Sequence, residues 1–209
     1  MNLLKQKSVV DKVMNKIFPI APNAIVAGGA PRDWFFGKVA RDVDIFLYRP
    51  DLVTTSNIIA VFSSIKLNLH YLEFLYSENG DRTGHGTYIS NPLISHVLEC
   101  TYSGVNFQFI FMTESTFTSV VPHFPLNMSR IWYKDGELHP TGEFLHGVNT
   151  KSLIKMDEIY ADGHTYIDKI RKYFPDYRYF SSVEEYFVST NRFSEWEWKQ
   201  RNVRVHTNG

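Results

Sequence analysis

Cysteine is nearly missing from this chain: Cys100 is the only thiol in 209 residues. A single thiol excludes an intrachain disulfide, and a chain without a disulfide framework is expected in a reducing cytoplasm. Long apolar runs are missing too. No stretch reaches the roughly 18 consecutive apolar residues that would suggest a membrane-spanning helix, so no membrane partner is expected. The first 20 residues scatter Lys5, Lys7, Asp11, Lys12 and Lys16 among apolar ones, unlike the charged block followed by an apolar block of a secretory signal. Net charge is also absent, with 22 Lys and Arg against 22 Asp and Glu. A protein that tracks long nucleic acids non-specifically is usually more basic, so any nucleic-acid contact is expected to be a local patch. No internal repeat or low-complexity tract is evident.

What the chain does have is apolar material: 44% of its residues are hydrophobic and 15% aromatic. That suffices for a packed core, in one domain with an appendage or in two small domains. Residues 3–18 place Leu3, Val10, Val13, Met14 and Ile17 at helical intervals with lysines between them, predicting an amphipathic helix on the core. The most informative stretch runs from Asn23 to Tyr48. Ala24–Ala27 reads as a short buried strand, and Gly28-Gly29 as a sharp turn that lets backbone approach a ligand. Pro31 suits the first position of a helix and Gly37 its end. Val43, Ile45 and Leu47 then alternate with Asp42, Asp44 and Phe46, predicting a two-faced strand. On such a strand Asp42 and Asp44 share one face, about 7 Å apart at Cα. Neighbouring carboxylates repel unless a cation lies between them, and Mg²⁺ or Mn²⁺ suits hard oxygen ligands shared with phosphates.

The pattern G-G-x-x-R-D-x-x-x-G-x-x-x-x-D-x-D, carried by Gly28, Gly29, Arg32, Asp33, Gly37, Asp42 and Asp44, resembles the head domain of tRNA CCA-adding enzymes and bacterial poly(A) polymerases. These are DNA polymerase β-like nucleotidyltransferases. The resemblance implies an α+β fold: a head domain over residues 1–148, with a mixed or antiparallel sheet and flanking helices, then a small helical neck-like region and tail over 149–209. It implies Asp42 and Asp44 as catalytic metal ligands for Mg²⁺ or Mn²⁺, and Gly28, Gly29 and Arg32 as phosphate contacts for an NTP substrate. The family usually has a small aliphatic residue where this chain has Pro31.

Further along, Thr54, Thr55 or Ser56 can cap a helix through about Ser64, residues 67–76 have strand character, and 77–87 form a polar glycine-rich loop. His70, His85 and His96 lack metal-ligand spacing and read as structural or surface residues. Residues 95–112 predict a hairpin turning near Gly104. The superfamily's third carboxylate usually sits on such a second strand. Here Gln108 occupies that place, as a possible third ligand that carries no charge. Glu99, on the partner strand, reads as a solvent-facing residue that can supply the missing charge only if the register allows. Residues 121–139, with Pro140 after them, resemble the family's R-R-D-F-T-I-N-A and G-E-x-x-D-P segments through Phe124, Leu126, Asn127, Gly136, Glu137 and Pro140. Val121, Pro122, His123 and His139 stand where the family has Arg, Arg, Asp and Asp. Asn127 is thereby implied to contact the nucleotide, with Arg130 a substitute phosphate contact or a surface residue. Lys134-Asp135-Gly136 predicts a hairpin turn.

Residues 151–160 and 164–174 read as helices. Asp168 and Arg171 match part of the E-D-x-x-R that reads the base in CCA-adding enzymes, and an i,i+3 ion pair explains them equally. Aromatic residues over 173–187 can build a small core or stack bases, and the tail carries Trp196 and Trp198. The implied activity is transfer of a nucleoside monophosphate to an acceptor hydroxyl, such as the 3′ end of a tRNA or another RNA. The alternatives are a compact enzyme acting on a small molecule or protein, and a catalytically impaired nucleotide-binding module acting through partners. Oligomeric state is not legible.

Overall fold

The computed structural model describes residues 1–48, 62–63, 73–74, 94–112, 120–156 and 163–190; at 73–74, 95–96 and 163–165 it describes the backbone only. Of the helix expected through Ser64, Phe62 and Ser63 are described, and both are helical. Most of the strand expected over 67–76, the loop 77–87 with His70 and His85, and the tail with Trp196 and Trp198 lie outside the described residues.

Helix α1 (Leu3–Ile17) starts where the Asn2 side chain accepts the Lys5 N–H at 2.9 Å. It buries Val9, Val10, Val13 and Ile17. It also buries Gln6, whose Nε2 donates to the Ala40 carbonyl at 2.8 Å and whose Oε1 accepts from the Ala40 N–H and Trp34 Nε1. That amide ties α1 to the segment ahead of the carboxylates. Strand β1 (Ile25–Ala27) leads through Gly28 into α2 (Gly29–Phe35). The helix begins two residues earlier than expected, so Pro31 is its third residue, where a missing N–H still breaks no intrahelical bond. Gly37, with φ 71°, ends it as expected.

Strands β2 (Asp42–Tyr48), β3 (Glu73–Phe74), β4 (Ile94–Tyr102), β5 (Val105–Met112), β6 (Ile131–Lys134) and β7 (Glu137–Pro140) join β1 in a seven-stranded mixed sheet, ordered β3-β4-β5-β2-β1-β6-β7. Among the described strands of this sheet only β2 and β5 pair in parallel. Both expected hairpins form, at Ser103-Gly104 and Asp135-Gly136. In each turn both central residues have positive φ, the arrangement that matches strand twist. Alternation gives the sheet two apolar faces. Val43, Ile45, Leu47, Phe107, Phe109 and Phe111 pack under α1. Ile25, Ala27, Phe46, Tyr48, Ile110 and Met112 gather on the other face with Val120 and Val121.

Helix α3 (Gly142–Thr150) is capped by the Thr141 hydroxyl and ends at Lys151 in the left-handed region, φ 50°. Within the helix expected over 151–160, residues 152–154 instead form β8 (Ser152–Ile154), which pairs in parallel with β9 (Arg178–Phe180), and residues 157–160 lie outside the described residues. The left-handed residue stops the helix. Leu153 and Ile154 then enter two different apolar clusters, as alternating strand residues do. Helix α4 (Gly163–Tyr173) lies where a helix was expected, and α5 (Val183–Ser189) follows β9. The region after the sheet is therefore not purely helical. Leu126, Met128, Ile131 and Phe144 share one cluster with Leu153, Ile167, Ile170 and Phe174, so apolar packing runs across residue 148 without interruption. Among the described residues no helix is long and apolar enough to cross a membrane.

Candidate active site

Register decides what stands beside the two carboxylates. In the parallel β2–β5 pair, Asp42 lies opposite Asn106 and Asp44 opposite Gln108. Across β5, Gln108 lies opposite Glu99 and Asn106 opposite Thr101. Directly opposed residues share a face, so Asp42, Asp44, Asn106, Gln108, Thr101 and Glu99 form a polar field at one end of the sheet. Continuing the β1–β2 register by one residue puts Ala27 level with Asp44. Gly28 and Gly29 therefore turn away from the sheet beside the carboxylates. Gly28 takes φ 83°, ψ −120°, a conformation glycine adopts without strain, while its N–H donates to the Ile131 carbonyl at 3.0 Å. Farther along the same face, past Ala27, the Trp132 and His139 rings stack with centroids 5.3 Å apart.

Both aspartates are half-buried, whereas Val43 between them is fully buried on the opposite face. Arg41 donates from Nε at 2.9 Å and Nη2 at 2.5 Å to the same Asp42 oxygen. These bonds, together with the charges of Asp42 and Asp44, hold the Arg41 guanidinium even more firmly protonated than usual. The Arg41 side chain is 74% exposed, so it is a counter-ion that can swing away. Its position directly before the first aspartate is the sequence signal that marks it.

Glu99 proves to be more than a solvent-facing strand residue: Gln108 Nε2 donates to Glu99 Oε1. Glu99 stands two strands from Asp44, about 10 Å in the sheet plane, with the Gln108 amide between them. Among the described residues no three His, Cys, Asp or Glu side chains gather closely enough to form a metal cluster. The donor set is two aspartates and an amide, all hard oxygen donors. It fits Mg²⁺ or Mn²⁺, because Mg²⁺ commonly binds through one or two carboxylates and completes its shell with substrate phosphates and water.

Other expected site residues are placed differently. Asn127, expected as a nucleotide contact, serves as a structural clasp. It is fully buried; its Nδ2 donates to the Ser152 carbonyl at 3.1 Å and its Oδ1 accepts the Ile154 N–H at 2.9 Å. Both ends of the amide thus hold β8 against the turn at 127–129. Arg32 lies beside Gly29, but its side chain is only 7% exposed and its guanidinium binds Asp33 Oδ1 at 2.8 and 3.0 Å. The ring of Tyr173 lies 5.0 Å from Arg32 Cζ, and Lys38 Nζ lies 4.4 Å from the same ring. Burial and the Asp33 charge push the Tyr173 hydroxyl up to about 12. Arg32 is thus a buried tie between α2 and α4 rather than an open phosphate contact. Arg130, also buried, donates to the Phe124 carbonyl at 3.2 Å. Asp168 and Arg171 form an exposed i,i+3 pair at 3.7 Å on α4, with the guanidinium 5.2 Å from the Tyr179 ring. A separate cavity of about 300 Å³, bordered by Asp11, Met14, Phe18 and Tyr133, opens beside α1 on the face opposite the carboxylates.

No protein-family model matches the chain, and no curated protein sequence does. Solved structures do match it in fold. A Thermotoga maritima CCA-adding enzyme complexed with tRNA superposes with TM-score 0.55 at 14% identity, over 84% of this chain and 39% of that one. A CCA-adding enzyme in complex with ATP gives TM-score 0.53 at 12% identity, over 83% and 41%. One in complex with CTP gives 0.51 at 13%, over 87% and 42%. The likeness is one of fold: the chain resembles the head region of CCA-adding enzymes and spans about two fifths of their length.

Proposed function

We propose that this chain, with its nucleotidyltransferase-like fold, is a metal-dependent nucleotidyltransferase whose acceptor is the 3′ hydroxyl of an RNA such as tRNA. One observation carries the reading: Asp42 and Asp44 share an accessible face of β2 at the level of the Gly28-Gly29 turn. Supporting it, the opposite side of β2 is fully committed to the core, so the pair is positioned by a rigid strand.

Asp42 and Asp44 would hold the cation, with Gln108 beside them. A divalent cation bound there supplies positive charge to the triphosphate and acidifies the acceptor hydroxyl. The glycine turn, which has no Cβ, would let backbone N–H groups approach the triphosphate next to the aspartates. Arg41, released from Asp42, is free to meet its phosphates. In the transfer, the acceptor oxygen bonds to the α-phosphorus and the bond from that phosphorus to the bridging oxygen of the β-phosphate breaks. Pyrophosphate leaves, and the hydroxyl proton passes to solvent. Asp168 and Arg171, exposed and already paired, are the side chains to test for base choice.

A second reading rests on Gln108: an amide cannot replace the charge of a third acid, which favours a nucleotide-binding module without turnover. Incubation with Mg²⁺, labelled nucleoside triphosphates and bulk tRNA separates the two, with Asp42→Ala/Asp44→Ala as control. Label on tRNA that the control lacks is the expected result. Nucleotide binding without transfer to any acceptor would favour the module, and transfer only to a small molecule or protein would replace the acceptor.

A further inference from the structure

We infer that Glu99 is a positioning residue that turns the Gln108 amide so that its carbonyl oxygen, and not its NH₂, is available on the Asp44 side. This rests on the metal-site reading above and extends it to a residue outside the aspartate pair. The argument starts from register: Asp44, Gln108 and Glu99 are consecutive members of one row across β2, β5 and β4. Gln108 is therefore flanked by a carboxylate on either side. An ionised carboxylate only accepts hydrogen bonds, whereas a primary amide has one donating and one accepting end. Whichever carboxylate takes the NH₂ group decides where the oxygen goes.

In this structure Glu99 takes it, since Gln108 Nε2 donates to Glu99 Oε1. The assignment follows from chemistry, because the opposite orientation would set the amide oxygen against a carboxylate oxygen. The carbonyl oxygen is then the end of the amide left for a cation held by Asp42 and Asp44. With the other orientation Gln108 would donate to Asp44, occupy a lone pair the cation needs, and set its oxygen against Glu99. The charge that the third position lacks is thus present one strand away. It acts through the amide, in the way that partners of metal ligands commonly fix ligand orientation.

Mn²⁺ binding to the full chain, followed by electron paramagnetic resonance of the free ion, tests this without any turnover. Asp42→Ala/Asp44→Ala sets the background. Glu99→Gln can donate to Gln108 as well as accept, so it releases the amide; the expected loss of Mn²⁺ affinity is about tenfold, at the lower end for such partners. The exchange variant Glu99→Gln/Gln108→Glu puts the carboxylate next to Asp44 and the amide outside it, and is expected to bind Mn²⁺ at least as tightly as the original chain. The thermal midpoint of Glu99→Gln, expected to match that of the original chain, shows that the single variant is folded. If Glu99→Gln and Gln108→Ala both bind like the original while the double aspartate variant does not, the positioning role is overturned and the metal site stands. Mn²⁺ binding unaffected by loss of both aspartates would overturn the metal site and the positioning role together.

Discussion

Strand β2 and the turn around Asn127 hold polar side chains in opposite ways. On β2 the aspartates alternate with Val43 and Ile45, so the core takes one face and leaves the carboxylates half-exposed on the other. Around Asn127 the chain turns back on itself, β8 closes over it, and the amide is used at both ends by backbone groups. The two segments carry the same kind of family resemblance, yet one presents its polar groups and the other consumes them. A motif residue is available to a ligand only when the fold has not already paired it, since a buried polar group without a partner costs roughly 1–3 kcal/mol.

Substitutions on each side sharpen that contrast. The largest effect belongs to Asp42→Ala/Asp44→Ala. On the proposed function, nucleotidyl transfer measured on tRNA is expected to fall at least about a thousandfold, or about 4 kcal/mol of barrier. The thermal midpoint should barely move, because half-exposed like charges add little to folding. Asn127→Ala should do the reverse. Urea unfolding is expected to show a loss of about 2–4 kcal/mol, because the Ser152 carbonyl and the Ile154 N–H lose their partner inside the protein.

Gly147→Ala probes the same clasp from α3. A Cβ there would run into Asn127 Nδ2 and lie 2.9 Å from the Ser152 carbonyl oxygen. A loss of about 1–3 kcal/mol is expected, as for an overpacked core. The two losses should not add in the double variant, since Asn127→Ala removes the nearest clash.

A pH series tests the buried side of the sheet. Burial pushes the Cys100 thiol from 9.0 up to about 12. Between those values the unfolded chain has released the proton that the folded chain keeps, so this thiol's contribution makes stability fall as pH rises. Urea titrations from pH 8 to 11 should show that fall, with a shallower slope in Cys100→Ala. Arg41→Ala should have the smallest effect. Removing the competing guanidinium is expected to raise Mn²⁺ affinity about two- to fivefold, the range of an exposed ion pair.

The strands and turns that position the carboxylates were legible because their signals are local. Alternation around Val43 and Ile45 fixes which residues share a face, and the two hairpins announce themselves through Gly104 and Asp135-Gly136. Residues 151–154 misled because Ser152, Leu153 and Ile154 form too short a run to carry a period of their own. A left-handed Lys151 is likewise not announced by its type. The motif around Asn127 points to a ligand and carries no information about β8, 25 residues on, whose backbone Asn127 binds.

By itself the sequence determined that Asp42 and Asp44 lie side by side, because a strand repeats every two residues whatever surrounds it. It also determined the glycine turn, because no other residue adopts the Gly28 conformation without strain. Only the tertiary structure decided their company. The parallel β2–β5 register placed Gln108 next to Asp44, and the antiparallel β4–β5 register placed Glu99 next to Gln108. Register between distant strands is set by how their apolar faces stack together, and no stretch of chain contains that information alone.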